Sequence, residues 1–321
     1  MKLNIFTEGG KGIGYGHITR CSALYDEAVK RGVETALYVH GNIEGTRILG
    51  SRSIYRVDWL TKSFLSENIQ EQDCCIVDSY IATGDLLQVI SDISRRVLYI
   101  DDNARIRYPK GIVVNPSLSP YHLEYPRDDG NIYLLGRDYV IVRTPFAEGG
   151  TRTASDRVSK VLITMGGAGY EVTRKVIQTI CAEYPCVRFV AVVEDASKEN
   201  LWAIGRGIEN VEYYSDLDAQ TMKMLMIQSD FAITAAGQSV YELLATRTPF
   251  IPVKTAGNQE NNIRGLRAIN RSTVFLNDGF RDKLRVEVES MFSLERRQDI
   301  WSEDDYVDGR GSARIMDCLL P

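Results

Sequence analysis

His17 follows a stretch of alternating glycines, Gly12, Gly14 and Gly16, and is one of only three histidines in the chain. Imidazole is the side chain that most readily exchanges a proton near neutral pH. Glycines let the backbone turn tightly and let a ligand approach it closely. The stretch therefore predicts a loop at which a titratable group meets a bound ligand.

The elements on either side of this loop would position His17. An apolar run, Leu3–Phe6, comes before it, and Cys21–Gly32 behind it carries apolar residues at helical spacing, which indicates strand, loop and helix. A helix in this place aims unpaired N–H groups and the positive end of its dipole at the loop, so an anion or a developing negative charge belongs there. Glycine patterns of this kind are weak evidence on their own, and a Rossmann-like loop whose histidine only packs is the alternative.

Polar residues end three further apolar runs, which begin at Cys74, Arg96 and Gly111. Runs that are apolar throughout are typical of parallel strands covered on both faces. Ligands of open α/β sheets gather outside the carboxyl ends of such strands, so we expect these polar residues at the same edge as His17. Each of them alone could instead be a helix cap or a turn residue. The residues at the three ends are Asp78-Ser79-Tyr80, Asp101-Asp102-Asn103 and Asn115.

The chain is long enough for two domains of ordinary size, and a second α/β series begins in its second half. The stretch Glu148–Asp156 is small and polar, which is typical of an interdomain linker. After it, an apolar run from Lys160 predicts a strand that leads into a glycine turn and an amphipathic segment. We therefore predict one Rossmann-like domain over residues 1–148 and a second over residues 157–321.

A second candidate site lies in Ala235–Ala245, which predicts a small-residue turn opening a helix. Such a turn presents bare N–H groups to a phosphate, with Gln238 and Ser239 as additional side-chain donors. Glu242 lies one turn further on, where a carboxylate can accept hydrogen bonds from two hydroxyls, as from a ribose. Taken singly, a segment of this kind also serves as a helix cap. Amides ahead of the next helix could recognise sugar hydroxyls and N-acetyl groups without charge, and they are Asn258, Gln259, Asn261 and Asn262.

The composition is that of a soluble globular protein, with 44% hydrophobic and 25% charged residues. A net charge of −5 without a basic stripe argues against nucleic acid or a membrane surface as a partner. No apolar run approaches membrane-spanning length, and the N-terminus enters a strand rather than a signal peptide, so we expect a cytoplasmic protein without membrane insertion. The six cysteines include no C-x-x-C pair, and we predict neither a metal site nor a cofactor. The oligomeric state does not follow from the sequence.

The candidate motifs stand in a definite order along the chain. They are Gly12-x-Gly14-x-Gly16-His17-x-x-Arg20-Cys21, Val77-Asp78-Ser79-Tyr80, Ile100-Asp101-Asp102, Asn115-Pro116, Tyr139-x-x-x-Arg143-x-x-Phe146, Met165-Gly166-Gly167, Ala236-Gly237-Gln238-Ser239-x-Tyr241-Glu242 and Gly257-Asn258-Gln259-x-x-Asn262. This order resembles the nucleotide-sugar hydrolases of pseudaminic acid biosynthesis, the related spore-coat polysaccharide family and, more distantly, the MurG-type glycosyltransferases. The resemblance covers essentially the whole chain, including the closing segment Asp308–Ile315.

The resemblance implies a GT-B fold, in which two Rossmann-like domains with parallel sheets face each other across a cleft. It also implies hydrolysis of UDP-2,4-diacetamido-2,4,6-trideoxy-β-L-altropyranose to UDP and the free sugar, with UDP held mainly by the second domain. His17 matches the family's water-activating histidine, and Tyr80 matches a tyrosine on the sugar side. The remaining substrate-binding residues that we predict are Gly14, Tyr15, Gly16, Arg20, Asp78, Arg143, Gly166, Gly167, Gly237, Gln238, Ser239, Glu242, Asn258, Gln259 and Asn262.

The expected mechanism is a single displacement at the anomeric carbon of the sugar. His17 would take a proton from water as the water attacks opposite the leaving diphosphate, so that the C–O bond breaks with inversion. UDP is a good leaving anion, and positioned hydrogen-bond donors would stabilise it without a metal ion.

Two departures from the family pattern keep other functions open. The hydrolases usually have histidine in place of Ser79, and the segment after Asp102 lacks the usual Cys-Asp. A changed sugar-side contact is what a different acceptor or substrate would require. The alternatives are a MurG-like inverting glycosyltransferase of polysaccharide biosynthesis and a non-catalytic nucleotide-sugar-binding protein, in which His17 would have no evident purpose.

Overall fold

A computed structural model describes most of the chain. The described residues are 1–10, 13–43, 52–126, 130–148, 155–166, 170–193, 207–269, 273–299 and 307–320, without the side chain of Asn258. They form two compact units, one made of Met1–Thr144 and Asp308–Pro321 and the other of Pro145–Val307. Each unit contains its own sheet, and every pair of neighbouring strands in both sheets is parallel.

The first unit is built on a seven-stranded sheet in the order β3-β2-β1-β4-β5-β6-β7. Its strands are β1 (Lys2–Glu8), β2 (Glu34–His40), β3 (Ile54–Arg56), β4 (Cys74–Asp78), β5 (Arg96–Ile100), β6 (Ile112–Asn115) and β7 (Ile132–Leu135). Its helices are α1 (Gly16–Lys30), α2 (Lys62–Asn68), α3 (Gly84–Ile93) and the C-terminal helix (Gly311–Leu319). The strand order reverses between β1 and β4, which is where open α/β sheets bind their ligands.

Strand β4 shows why these segments form a buried parallel sheet. Cys74 and Ile76 belong to the core on one face, whereas Cys75 and Val77 belong to the core on the other face. Because successive side chains of a strand point to opposite faces, a strand covered on both sides must be apolar throughout. The prediction from the run that begins at Cys74 is therefore confirmed.

The C-terminal helix packs in the first unit, and this corrects the sequence-based boundary that placed residues 308–321 in the second domain. Its apolar side chains Ile315, Met316 and Leu319 are fully buried in the first unit's core. At Gly311 a Cβ would lie 2.0 Å from the carbonyl oxygen of Val140, so only glycine allows this close approach. The boundary was misplaced because chain continuity does not reveal which core an apolar helix face completes.

The second unit repeats the same topology with a six-stranded sheet in the order β10-β9-β8-β11-β12-β13. Its strands are β8 (Lys160–Thr164), β9 (Arg188–Val193), β10 (Val211–Ser215), β11 (Phe231–Ala235), β12 (Phe250–Lys254) and β13 (Val274–Phe275). Its helices are α4 (Tyr170–Ile180), α5 (Ala219–Gln228), α6 (Ser239–Ala245), α7 (Glu260–Ala268), α8 (Phe280–Ser290) and α9 (Leu294–Asp299). The order reverses between β8 and β11, at the place that corresponds to β1 and β4 of the first unit.

All six cysteines are free thiols, and four of them are buried, as the apolar runs around them predict. Cys186 is exposed and Cys318 is partly exposed. Among the helices that the structure describes, none is both long and apolar enough to span a membrane.

Candidate active site

His17 lies in the first turn of α1, because the helix begins at Gly16 rather than further along the chain. The loop before it is closed by Gly10 and Gly14, whose N–H and carbonyl groups are paired in both directions at N···O distances of 2.9 Å. Gly14 has φ +95°, a left-handed conformation that glycine adopts without strain. No side chain caps this end of α1, and its first turn contains no acidic residue. The helix thus presents N–H groups beside the imidazole; Gly12 lies outside the described residues.

Asp78 orients the imidazole of His17. The Nδ1 atom of His17 lies 2.7 Å from Oδ1 of Asp78, which is completely buried at the end of β4. Burial is the largest influence and raises the pKa of the Asp78 carboxyl, but the opposing effects of Arg20 and His17 together hold this pKa well below its usual range. An ionised carboxylate only accepts hydrogen bonds, so Nδ1 carries the proton and Nε2 keeps its lone pair. This tautomer is the one that can take a proton from water.

Arg20 holds the two carboxylates of the site together. Its Nε and Nη2 atoms each donate to Asp78 at 2.6 Å, and its Nη1 donates to Asp102 at 2.8 Å. Burial lowers the pKa of the guanidinium, but Asp102 and Asp78 together raise it well above its usual value. The three groups carry two negative charges and one positive charge. The excess negative charge beside His17 would stabilise an imidazolium when the ring takes up a proton.

Tyr80 packs against His17 from the side. The two rings meet edge to face, with centroids 4.5 Å apart and an interplanar angle of 87°. The phenol donates to Oδ2 of Asp102 at 2.6 Å. Burial and the negative charge of Asp102 raise the pKa of Tyr80, so the phenol stays protonated and its oxygen can still accept a hydrogen bond.

Ser79 faces the protein interior, which corrects its interpretation as a changed sugar-side contact. Its hydroxyl donates to Oε2 of Glu8, and it accepts from the N–H groups of Ile81 at 3.1 Å and Ala82 at 3.0 Å. A hydroxyl has one donor and two acceptor sites, and all three are used here. The residue that departs from the family pattern therefore has no hydrogen-bonding capacity left for a substrate.

Two acidic residues, the buried Glu8 and the half-buried Asp102, belong to this cluster although the sequence assigned them no role. Glu8 accepts from Ser79 and from the N–H of Tyr80, and Asp102 joins Arg20 to Tyr80. Asp102 was recognised only as a polar residue at a strand end. Glu8 ends β1, so the same strand-end signal would have marked it as a candidate, although not its partners.

Of the other residues predicted for the first unit, Tyr15 caps the backbone of α1 through its carbonyl, which accepts from the N–H and the hydroxyl of Thr19. Gly16 is exposed at the start of the helix. Arg143 is half-buried and lies next to the end of the segment Met1–Thr144, the first of the two segments that form this unit. Its role in substrate binding stays a prediction.

The predicted residues of the second unit follow three neighbouring strands, β8, β11 and β12. Gly166 comes after β8 and has φ +54°, whereas Gly167 lies outside the described residues. Gly237, Gln238 and Ser239 come after β11, and Ser239 begins α6. The carboxyl ends of parallel neighbours share one edge of the sheet, so these loops lie at one edge, and their contacts with substrate stay predictions.

Glu242 and the predicted amides occupy the helices behind these loops. Glu242 is 3% exposed in α6. Asn262 donates to the carbonyl of Ala236 at 3.0 Å and accepts from the hydroxyl of Tyr241 at 2.6 Å, so it ties α7 to the loop after β11. The Oε1 atom of Gln259 accepts from the N–H groups of residues 255 and 256 and thereby closes its own turn. Their contacts with substrate stay predictions, as does that of Asn258, whose side chain is outside the description.

No family model matches the chain. Over 251 residues, or 77% of the chain, it is 25% identical to a Helicobacter pylori protein named pseudaminic acid cytidylyltransferase and UDP-2,4-diacetamido-2,4,6-trideoxy-beta-L-altropyranose hydrolase, 43% of which is covered. Over 269 residues, or 78% of the chain, it is 22% identical to an uncharacterized protein of Methanocaldococcus jannaschii, 55% of which is covered. The chain thus spans about half the length of the curated relatives it matches.

Solved structures share the architecture at low sequence identity. MurG of Acinetobacter baumannii superposes with a TM-score of 0.65 at 14% identity, over 99% of both chains. The S. aureus MnaA structure with UDP gives the same TM-score and identity over 98% of this chain and 95% of that one. Two parallel-sheet α/β units with this match define the GT-B fold, as predicted.

Proposed function

We propose that this protein hydrolyses a UDP-activated sugar, with His17 as the general base that activates water. The observation that carries the proposal is the 2.7 Å contact between Nδ1 of His17 and the buried carboxylate of Asp78. This contact leaves Nε2 as a base on a ring fixed in orientation. A protein that only bound nucleotide sugars would not need a buried charge cluster to orient one imidazole.

The proposed reaction is a single displacement at the anomeric carbon. Nε2 of His17 takes a proton from water while the water oxygen bonds to that carbon. The bond from carbon to the diphosphate oxygen breaks, and UDP leaves with the electron pair, so the configuration inverts. Asp78 stabilises the imidazolium, and such help from a general base typically accelerates a reaction by ~10²–10⁴.

The second unit would hold UDP. The turn after β11 offers backbone N–H groups together with Gln238 and Ser239, which suits a diphosphate. Glu242 is the acidic residue one turn further on and would accept hydrogen bonds from the ribose hydroxyls. The fold supports this assignment, because ligands of doubly wound sheets bind where the strand order reverses.

The substrate that we propose is UDP-2,4-diacetamido-2,4,6-trideoxy-β-L-altropyranose. Support comes from the H. pylori relative, whose name includes the hydrolase of this compound. The inward orientation of Ser79 supports it further, because the difference from the hydrolase pattern at this position does not reach a substrate.

The proposal is tested by measuring UDP release from a panel of UDP-sugars without an acceptor. We expect full-rate release with one of them, and in ¹⁸O-water the label should appear on the anomeric oxygen of the sugar. Label on the nucleotide would mean attack at phosphorus and would contradict the proposal. Slow release that rises steeply with an added sugar acceptor would instead identify an inverting glycosyltransferase.

A further inference from the structure

Glu8 is a buried acidic residue whose hydrogen-bond donors are both neutral groups. It is 2% exposed at the end of β1. Its Oε2 accepts from the hydroxyl of Ser79, and its Oε1 accepts from the N–H of Tyr80 at 2.9 Å. Removing a charge from water costs several kcal/mol, and neutral donors offset this cost less well than a cation does. The fold alone gives no reason to place a charge here.

Glutamine would not serve in place of Glu8. Both groups that face the carboxylate are donors, so the side chain must accept at both of its outer atoms. A glutamine amide accepts at one atom and donates at the other, which would set an N–H group against an N–H or O–H group. The turn therefore requires a side chain with two acceptor atoms at this position.

The turn that Glu8 holds is the one that positions His17. It starts at Asp78, which orients the imidazole, and ends at Tyr80, whose ring lies 4.5 Å from the imidazole centroid. Thr7 and Asp78 are the last register partners of β1 and β4, so Glu8 is the first residue beyond that ladder, although it still pairs with His40 of β2. It can therefore fix the turn where the backbone ladder no longer does.

We propose that Glu8 is a positioning residue for His17, acting through the Ser79–Tyr80 turn. This proposal rests on the proposed function, since it assigns Glu8 to the base of that reaction. Loss of the turn's geometry would let Tyr80 and Asp78 shift relative to the imidazole. Shifts of about 1 Å at a reacting group can cost ~10²-fold in rate.

Asp73 provides a matched control in the same unit. It is 3% exposed and also accepts only from neutral donors among its described hydrogen bonds, which come from the N–H groups of Lys2 and Gln70 and the amide of Asn4. It precedes β4, at the opposite end of the strand from Asp78. Asp73→Asn thus removes a buried carboxylate of the same kind without touching the turn.

The experiment compares Glu8→Gln and Asp73→Asn in the full chain. For Glu8→Gln we expect kcat of UDP release to fall by about 10-fold to 100-fold, with KM within about two-fold. Asp73→Asn should keep the wild-type kcat although both variants lose thermal stability. Equal losses of kcat in the two variants would reduce Glu8 to a structural residue.

A second measurement does not depend on activity. The ring nitrogens of the three histidines can be followed by ¹H–¹⁵N correlation spectroscopy and assigned by substituting each in turn. Glu8→Gln should shift the His17 signals and leave those of His122, whereas Asp73→Asn should move neither; His40 is no control, because it is the register partner of Glu8 on β2. Unchanged His17 signals in folded Glu8→Gln would overturn the proposal. If Glu8→Gln does not fold, Ser79→Ala removes one of the two contacts and must shift the same signals.

The kinetic and the spectroscopic measurements also distinguish failure of the proposed function from failure of the role proposed for Glu8. If the wild-type protein releases no UDP from any sugar of the panel, the proposed function fails, and the spectra still decide whether Glu8 positions His17.

Discussion

The two sheets order their strands in the same way, yet the loops at their switch points carry different chemistry. At the switch point of the first unit lies a cluster of charged and titratable groups, of which Arg20 and Asp78 are buried and His17 and Asp102 half-buried. Between β8 and β11 the second unit places short loops of uncharged residues, from Gly166 and from Ala236 to Ser239. One topology therefore supports two kinds of site.

The difference follows from what each proposed task demands. Proton transfer needs a titratable ring in one tautomer, and here the hydrogen bond between Nδ1 of His17 and the Asp78 carboxylate fixes it. Binding a diphosphate needs N–H donors that converge on oxygen atoms, and uncharged loops with glycine supply them without a buried charge. We therefore expect substitutions in the first unit to change kcat and those in the second unit to change UDP affinity.

The largest effect is expected from His17→Asn. Asparagine removes the base but keeps a polar side chain at the start of α1, so kcat should fall by ~10²–10⁴ while UDP affinity stays unchanged. Steady-state kinetics and calorimetry with UDP give the two quantities. His122→Asn is the control, because His122 is exposed in the same unit and its Nδ1 lies 3.0 Å from the carbonyl oxygen of Ser119, away from the His17 cluster. Unchanged kcat in His17→Asn would reduce the histidine to a packing role.

The next effect concerns stability and distinguishes the charged cluster from a buried arginine in the second unit. Arg20→Met leaves Asp78 and Asp102 without their cation, which should lower the free energy of unfolding by about 3–5 kcal/mol. Arg297→Met removes an arginine that donates to the carbonyls of Ser155 and Met291, so its cost should be smaller. Denaturant unfolding can be followed through the buried Trp59 in a background with Trp202→Phe and Trp301→Phe.

Arg20→Met should also change how the free energy of unfolding depends on pH. Arg20 keeps the pKa values of Asp78 and Asp102 below the ordinary carboxyl value of ~3.9. The folded protein then binds fewer protons than the unfolded chain, so this stability is full above about pH 4 and is lost on further acidification. Without Arg20, burial raises both pKa values, and the sign reverses. The difference in stability between wild type and Arg20→Met should therefore shrink on acidification and go on shrinking below about pH 4; a constant difference would contradict the assigned charges.

The parts of the fold that could be predicted are those in which consecutive residues form a continuous apolar run. The runs at β4, β5, β8 and β11 are almost wholly apolar and buried, which is typical of parallel strands covered on both faces. Strand β3 was missed because it is a three-residue edge strand whose pairing uses the backbone and leaves its side chains exposed or half-buried. Helix α2 was missed because it buries only Leu65.

The sequence indicated which residues belong to the site, but not all of the contacts between them. The strand ends correctly placed Asp78 beside His17, since topology sets the edge at which they meet. The inward turn of Ser79 was not predictable, because residue type does not reveal which way a side chain points in a turn. Glu8 was overlooked for a related reason: its partners come from a segment about seventy residues away in sequence.

The smallest expected effect tests the second unit. Glu242→Ala should weaken UDP binding by ~1.5–3 kcal/mol, the usual value of a hydrogen bond to a charged group, and should leave kcat at saturating substrate nearly unchanged. Glu287→Ala is the control, because Glu287 is likewise buried in this unit but lies in α8 and pairs with Lys283 at 2.8 Å. Calorimetry on the folded variants gives the affinities. Equal UDP affinity in Glu242→Ala and wild type would remove the ribose contact, whereas a large loss of kcat at saturation would mean that the second unit also controls the chemical step. Either outcome would contradict the assignment of catalysis to the first unit and of UDP binding to the second.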